Sequence, residues 1–263
     1  FKYADFIVSN LRLIPGLGGL PTPGLALPIG IVVAVAMAVA IDVLIFRRGR
    51  YVNALGKQII TMGLISIVVG AIPLIFGSQT PPFRVFVDGK LSFLVGGQDV
   101  TVTVNALVCL VITAVVLTVL FVLLRFSKWG LSVRATASNE YVAGMLGINT
   151  YVITAISWGL AGALGTLAAT MNGGINQVGP YFMTSYQVNA FLAGILGGFS
   201  TFYGPVVAAF LLPLANNLVV YLANVIGKPE LSSWSLVIVY GLALVLIFFK
   251  PEGLFGKRTV KKV

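Results

Sequence analysis

Six times along this chain apolar residues run on, almost without a charge, for about the length that carries a helix across a bilayer. The runs are about Leu27 to Phe46, Ile59 to Phe76, Val104 to Leu124, Tyr151 to Met171, Gly204 to Ile226 and Ser233 to Phe249. A hydrocarbon layer of about 30 Å needs roughly 20 such residues in helical form. Only an α-helix or a closed barrel satisfies every backbone group there without water. Barrel strands alternate apolar and polar residues, and these runs do not. The expected fold class is therefore all-α, a polytopic transmembrane helical bundle treated as a single domain over residues 1–263. Composition agrees, with 58% hydrophobic and 9% charged residues against about 25% charged in a soluble domain.

Between the runs the chain has distinct punctuation. Lys2 to Leu11 reads as the tail of a spanning helix, so the sequence is expected to begin inside a longer natural one or to have lost a processed end. A link rich in breakers follows, from Pro15 to Gly24. Residues 77–103 form a polar, β-rich interval in which VFVDGKLSF reads as a small hairpin around Asp88-Gly89. The run from Tyr151 carries Gly159, Gly162 and Gly165, whose small size lets a neighbouring backbone approach closely. Tyr186 to Gly198 is apolar but short, about 20 Å as a helix. Counting that segment as a crossing gives about seven complete spans plus the N-terminal partial helix.

The charges set an orientation. One set of loops and the tail hold Arg47, Arg48, Arg50, Lys57, Arg125, Lys128, Arg134, Lys250, Lys257, Arg258, Lys261 and Lys262; the other holds Lys2, Arg12, Arg84, Lys90 and Lys228. Cationic loops stay in the cytoplasm. The central loop at 125–150 and the C-terminus are therefore expected inside, in a multi-pass cell membrane protein, with the loop at 77–103 outside. Within the central loop, about Ala137 to Leu146 reads as a short amphipathic helix with Ser138 and Asn139 as start candidates. Such a helix either covers the membrane surface or is offered to a soluble partner.

Several chemistries are excluded. The chain has no His and a single Cys, Cys109, inside an apolar run, which removes an internal disulfide, a His-based triad and a Cys/His zinc site. Gly56-Lys57 and Gly256-Lys257 lack the flanking pattern of a phosphate-binding loop. No catalytic residue, metal ligand or cofactor site is expected in this chain. The net charge of +10 is accounted for by the inside bias, without a nucleic-acid partner. Asp42 is the acidic residue nearest the interior of a span, and either acts there or pairs with Arg47 and Arg48 at the interface.

Four blocks carry a resemblance. Arg134-Ala135, Ala137, Asn139, Ala143 and Leu146-Gly147-Ile148-Asn149 resemble the cytoplasmic loop of the branched-chain amino acid ABC importer permeases. Ala190-Phe191, Gly194 and Gly197-Gly198 followed by Gly204 are similar to that family's Gly-rich break. Lys250-Pro251 with Gly253-Leu254-Phe255-Gly256 resembles its C-terminal ending, and Asp42, Phe46-Arg47 and Arg50 match its first loop more loosely. Val43 and Arg48 depart from the pattern, as do Ser200 and Thr201, and the family's first helix is not matched.

The resemblance implies a permease subunit that does no chemistry itself. It implies a second, identical or homologous permease, two cytoplasmic ATP-binding subunits that carry the ATP and Mg, and an extracytoplasmic binding protein. Ala137, Asn139, Glu140, Ala143, Met145, Leu146 and Gly147 would form the coupling segment that docks on an ATPase. Gly197, Gly198, Gly204 and Pro205 would form the hinge or helix break. Branched-chain or related amino acids are the implied substrates, with urea, amides or nucleosides as alternatives within the family. An ion-coupled secondary transporter is the rival from another class, and the spans offer it almost no buried charge.

A path through an apolar bundle needs polar groups, and lipid cannot satisfy them. Thr154, Ser157, Gln187, Asn189 and Asn217 are the path candidates, with Asn189 foremost because it opens the short helix. Each of these can equally hold helices together.

Overall fold

The computed structural model describes residues 22–49, 52–77, 87, 89–95, 98–173, 178–179, 181–199 and 201–256. The expected N-terminal partial helix and the basic tail beyond Gly256 lie outside them. The described residues up to Phe182 form one compact unit and those from Met183 a second.

In the first unit, α1 (Thr22–Ile41) runs into one π-helical turn, Asp42–Phe46. Next comes α2 (Ala54–Phe76), whose first turn is capped by Asn53 Oδ1 accepting from Gly56 N at 2.8 Å. Two strands, β1 (Lys90–Val95) and β2 (Gln98–Thr103), form an antiparallel hairpin in which Lys90 faces Thr103 and Val95 faces Gln98. The expected hairpin around Asp88-Gly89 lies largely outside the described residues; the pairing that is described runs from Lys90 to Thr103.

β2 passes directly into α3 (Val104–Phe126), which ends at an elbow into α4 (Lys128–Ser138). The central loop was expected to hold a single short helix, and α4 is the correction. Its formation follows from Ser127, whose Oγ accepts from Gly130 N at 3.0 Å and caps the first turn. The elbow is tight: a Cβ on Gly130 would lie 2.3 Å from the Leu124 carbonyl oxygen. That carbonyl, left without a helical partner at the end of α3, accepts from Arg134 Nη1 at 2.8 Å. Arg134 therefore holds α4 folded back on α3. After α4 come α5 (Glu140–Met145) and the long α6 (Thr150–Gly173).

The packing of α6 on α1 is the main helix contact of this unit. A Cβ on Gly162 would come 2.8 Å from the Ala34 carbonyl oxygen, and one on Gly159 3.3 Å from Val35. These two glycines make the close approach that the sequence predicts. Gly165 meets nothing within 4 Å and takes no part in it.

The second unit contains α7 (Thr184–Gly197), α8 (Tyr203–Val225), the single turn α9 (Glu230–Ser233) and α10 (Ser235–Phe249). Its core is small-residue packing of Ala193 and Leu196 from α7, Ala208 and Leu212 from α8, and Val239 and Ala243 from α10. The chain then doubles back. Leu254 N donates to Leu196 O at 2.6 Å, and Lys250 Nζ donates to Leu254 O at 2.7 Å. Gly198 and Gly253 both have φ near +85°, and a Cβ on Gly253 would lie 2.5 Å from Gly198 N. The Gly-Leu-Phe-Gly ending is thus a clasp over the end of α7, a role only glycine permits at that approach and backbone angle.

Among the described residues five helices are long and apolar enough to cross a membrane: Leu27–Phe46, Leu55–Ile75, Val104–Phe126, Thr150–Gly173 and Tyr203–Val225. Both α7, with 14 residues, and α10, with 15, fall short of that length, as the sequence predicts for α7.

Candidate functional site

The residues expected to couple to a motor divide between two helices. Ala137 lies in the last turn of α4, exposed; Asn139 is the junction; Glu140 to Met145 form α5. Asn139 has extended backbone angles, and its Oδ1 accepts from the N–H groups of Tyr141 and Val142, both at 3.1 Å. The Asn139 amide oxygen is therefore occupied as the N-cap of α5.

The other end is equally defined. Gly147 has φ +85°, its N–H donates to Gly144 O at 3.0 Å, and Ile148 N donates to Ala143 O at 3.1 Å. This paired pattern with a left-handed glycine is a Schellman ending. Capped at both ends, a helix of 6 residues holds its shape although so short a piece has little stability alone. Asn139→Ala is expected to cost about 1 kcal/mol in that segment. Faster amide exchange at Tyr141 and Val142 than in the unaltered chain would register the loss, and unchanged exchange would contradict the cap.

Between these caps the segment presents apolar side chains outward. Ala143 is buried at 2%; on the far side of the helix Tyr141 is 76% exposed and Met145 67%, and Leu146 at the C-cap is 75% exposed. Val142 is also exposed. So the inward residue is the alanine, and the large residues that the sequence left free to pack on the bundle or outside it point away. Tyr141 was not singled out from the sequence; its signal was its place one turn before Met145 on a helix whose register only the Asn139 cap fixes.

The expected path residues are dispersed in role. Thr154 Oγ1 donates to Tyr151 O at 3.1 Å and Ser157 Oγ to Ile153 O at 2.8 Å, both within α6. Asn189 Oδ1 accepts from Tyr240 OH at 2.9 Å, linking α7 to α10. Gln187 and Asn217 are exposed on the second unit. Asn216, beside Asn217, has its Oδ1 buried without a hydrogen-bond partner among the described residues. It follows Leu212 by one turn on the stripe of α8 that also carries Ala208. An unpaired acceptor in an apolar bundle calls for a donor. The cavity of about 190 Å³ lined by Leu196, Leu212, Ala215, Val239 and Leu254 is apolar and offers a zwitterion nothing.

Gly197, Gly198, Gly204 and Pro205 come together at the α7–α8 turn. A Cβ on Gly197 would stand 2.2 Å from both Gly204 C and Pro205 N. Among the described residues there is no cluster of His, Cys, Asp and Glu able to hold a metal ion.

With five candidate spans among the described residues and a capped, apolar-faced segment between α4 and α6, the chain is of the helical multi-pass membrane class. The family described as the branched-chain amino acid transport system permease component matches residues 6–248, and this chain belongs to that family. It is 27% identical to the high-affinity branched-chain amino acid transport system permease protein BraD of Pseudomonas aeruginosa, over 100% of this chain and 84% of that one. To the LivH permease protein of the same description from Escherichia coli it is 24% identical, with the same coverage. The probable LivH of Methanocaldococcus jannaschii is 26% identical over 89% of this chain and 75% of its own. No solved structure gives a significant match. The membership makes the chain a permease component, with ATP hydrolysis on separate subunits.

Proposed function

We propose that this chain forms half of the translocation path of an ABC importer for branched-chain amino acids. A second permease completes the path, two cytoplasmic ATPases drive it, and an extracytoplasmic binding protein delivers the substrate. Ala137 to Gly147 is the docking segment for an ATPase. The observation that carries this reading is the capped α5 with Tyr141, Met145 and Leu146 turned outward. Apolar side chains fixed in that way on a polar loop fit a partner's cleft, as buried aromatic and aliphatic anchors do at interfaces.

In this reading there are seven crossings, counting α7 and α10 as tilted or extended spans, with residues 125–150 and the C-terminus in the cytoplasm and 77–103 outside. The unequal distribution of Lys and Arg supports that orientation. Asn189 and Asn216 belong to the path, with specificity resting mainly on the binding protein. ATP-driven closure of the ATPases shifts the population between outward- and inward-facing states.

Uptake of labelled leucine tests the assignment. Cells lacking their own branched-chain uptake should accumulate leucine when given this chain with its companion permease, ATPases and binding protein, and should lose uptake when the ATPases are omitted. Uptake that persists on an ion gradient without the ATPases, or that selects urea or a nucleoside instead, overturns it.

A further inference from the structure

Where α1 ends, the backbone makes one turn of i→i+5 hydrogen bonding, with Arg47 N donating to Asp42 O at 2.9 Å. In an α-helix, residues five apart point about 140° away from each other. The wider π turn brings Arg47 back over Asp42, and Nε lies 3.4 Å from Asp42 Oδ2. Asp42 is buried at 3% exposure. The rest of the guanidinium reaches across to α6: Nη2 donates to the Tyr151 carbonyl at 3.3 Å, and the central carbon stands 5.5 Å from the Tyr151 ring centre. One residue earlier, Phe46 stacks on Trp158 of α6 with centroids 4.8 Å apart.

Tyr151 lies four residues beyond Gly147, in the first turn of the helix that leaves the coupling segment. Arg47 thus grips, by a carbonyl and a ring, the place where any displacement of α5 enters the membrane part of the chain. An arginine serving only to cover the helix end would extend toward water. This one is turned inward by a buried carboxylate and by a local change of helix type, and an ion pair with a desolvated member is poor evidence of stabilisation alone.

We infer that Arg47, oriented by Asp42, is a positioning residue that ties the first turn of α6 to the inner end of α1, so that movement of the docked Ala137 to Gly147 segment is passed into α1. The inference rests on the docking role proposed for that segment. Physical coupling requires an element that both sites bias, and here it is the α1–α6 pair, joined along its length by the Gly159 and Gly162 contacts.

The test uses the assembled transporter with two variants. Arg47→Lys keeps the charge but loses the planar reach to two partners at once. Asp42→Asn combined with Arg47→Gln removes both charges, so no buried charge is left alone to unfold the chain. Three quantities are read: ATPase captured per permease, basal ATP hydrolysis, and leucine taken up per ATP. The double variant is expected to assemble and hydrolyse as the unaltered transporter does while uptake per ATP falls about tenfold, with Arg47→Lys between the two. Unchanged uptake per ATP in the assembled double variant overturns the inference. Loss of assembly in both variants also overturns it, since the pair would then be a structural support. The docking role fails on a different reading, ATPase capture by chains altered at Tyr141 and Leu146, so the two failures are distinguishable.

Discussion

Gly197→Ala is expected to destabilise the second unit by about 3 kcal/mol, the upper part of the usual range for a forced fit in a packed site. The added Cβ would lie 2.2 Å from Gly204 C and Pro205 N and 2.3 Å from Gly204 O. All three are backbone atoms, so no side chain can rotate aside and the α7–α8 turn must open. Opening it also pulls Leu196 O away from Leu254 N, the bond that holds the C-terminal clasp. Gly241→Ala in α10 is the control, since a Cβ there meets nothing within 4 Å. It should be neutral or stabilise by up to about 1 kcal/mol, because alanine is the better helix former. Melting of the detergent-purified chains separates the two. A Gly197→Ala chain that melts with the unaltered one would show that the turn is not closed in this way.

Replacing both Tyr141 and Leu146 with aspartate is expected to leave the permease folded and to cut ATPase capture at least about a hundredfold. At 76% and 75% exposure the two side chains contribute little to this chain, and surface changes usually stay within about 0.5 kcal/mol. In a docked complex the same positions lose their burial, about 1.5–3 kcal/mol for each side chain. Each 1.4 kcal/mol or so is a factor of ten in affinity. The measure is ATPase recovered per tagged permease from detergent extracts, with the melting temperature as the control for folding. Capture at the unaltered level from a folded double variant would remove the docking segment from Ala137 to Gly147.

Much of the architecture was legible in the residues. The apolar runs located each of the five long helices among the described residues to within about five residues, because uninterrupted hydrophobicity of that length has few other solutions in lipid. Gly159 and Gly162 were legible for the same kind of reason: a small residue on an apolar helix marks where a backbone comes close. The missed pieces are short and polar. Helix α4 depends on Ser127 capping Gly130 and on Arg134 folding back to Leu124 O, contacts that residue periodicity does not record. The register of β1 on β2, Lys90 facing Thr103, is likewise set by strand pairing and not by any turn signal in the residues.

The site divides in the same manner. The segment proposed for docking was marked by resemblance, yet the direction of its side chains follows from where the helix starts, and Ser138 and Asn139 were equal candidates. The Asn139 cap fixes the start and so sends Ala143 inward and Tyr141 outward. Among the amides, Asn216 and Asn217 are neighbours in sequence and about 100° apart on the helix. The packing of α8 buries the oxygen of the first and exposes the second.

By itself the sequence determined that this chain is built of membrane helices, since the solvent imposed by its hydrophobicity admits little else. Tertiary structure alone decided that Arg47 reaches across to Tyr151, and that the Gly-Leu-Phe-Gly ending closes over α7. Those contacts join residues 104 apart in the first case and some fifty or more apart in the second, and no local preference encodes a partner at such a distance.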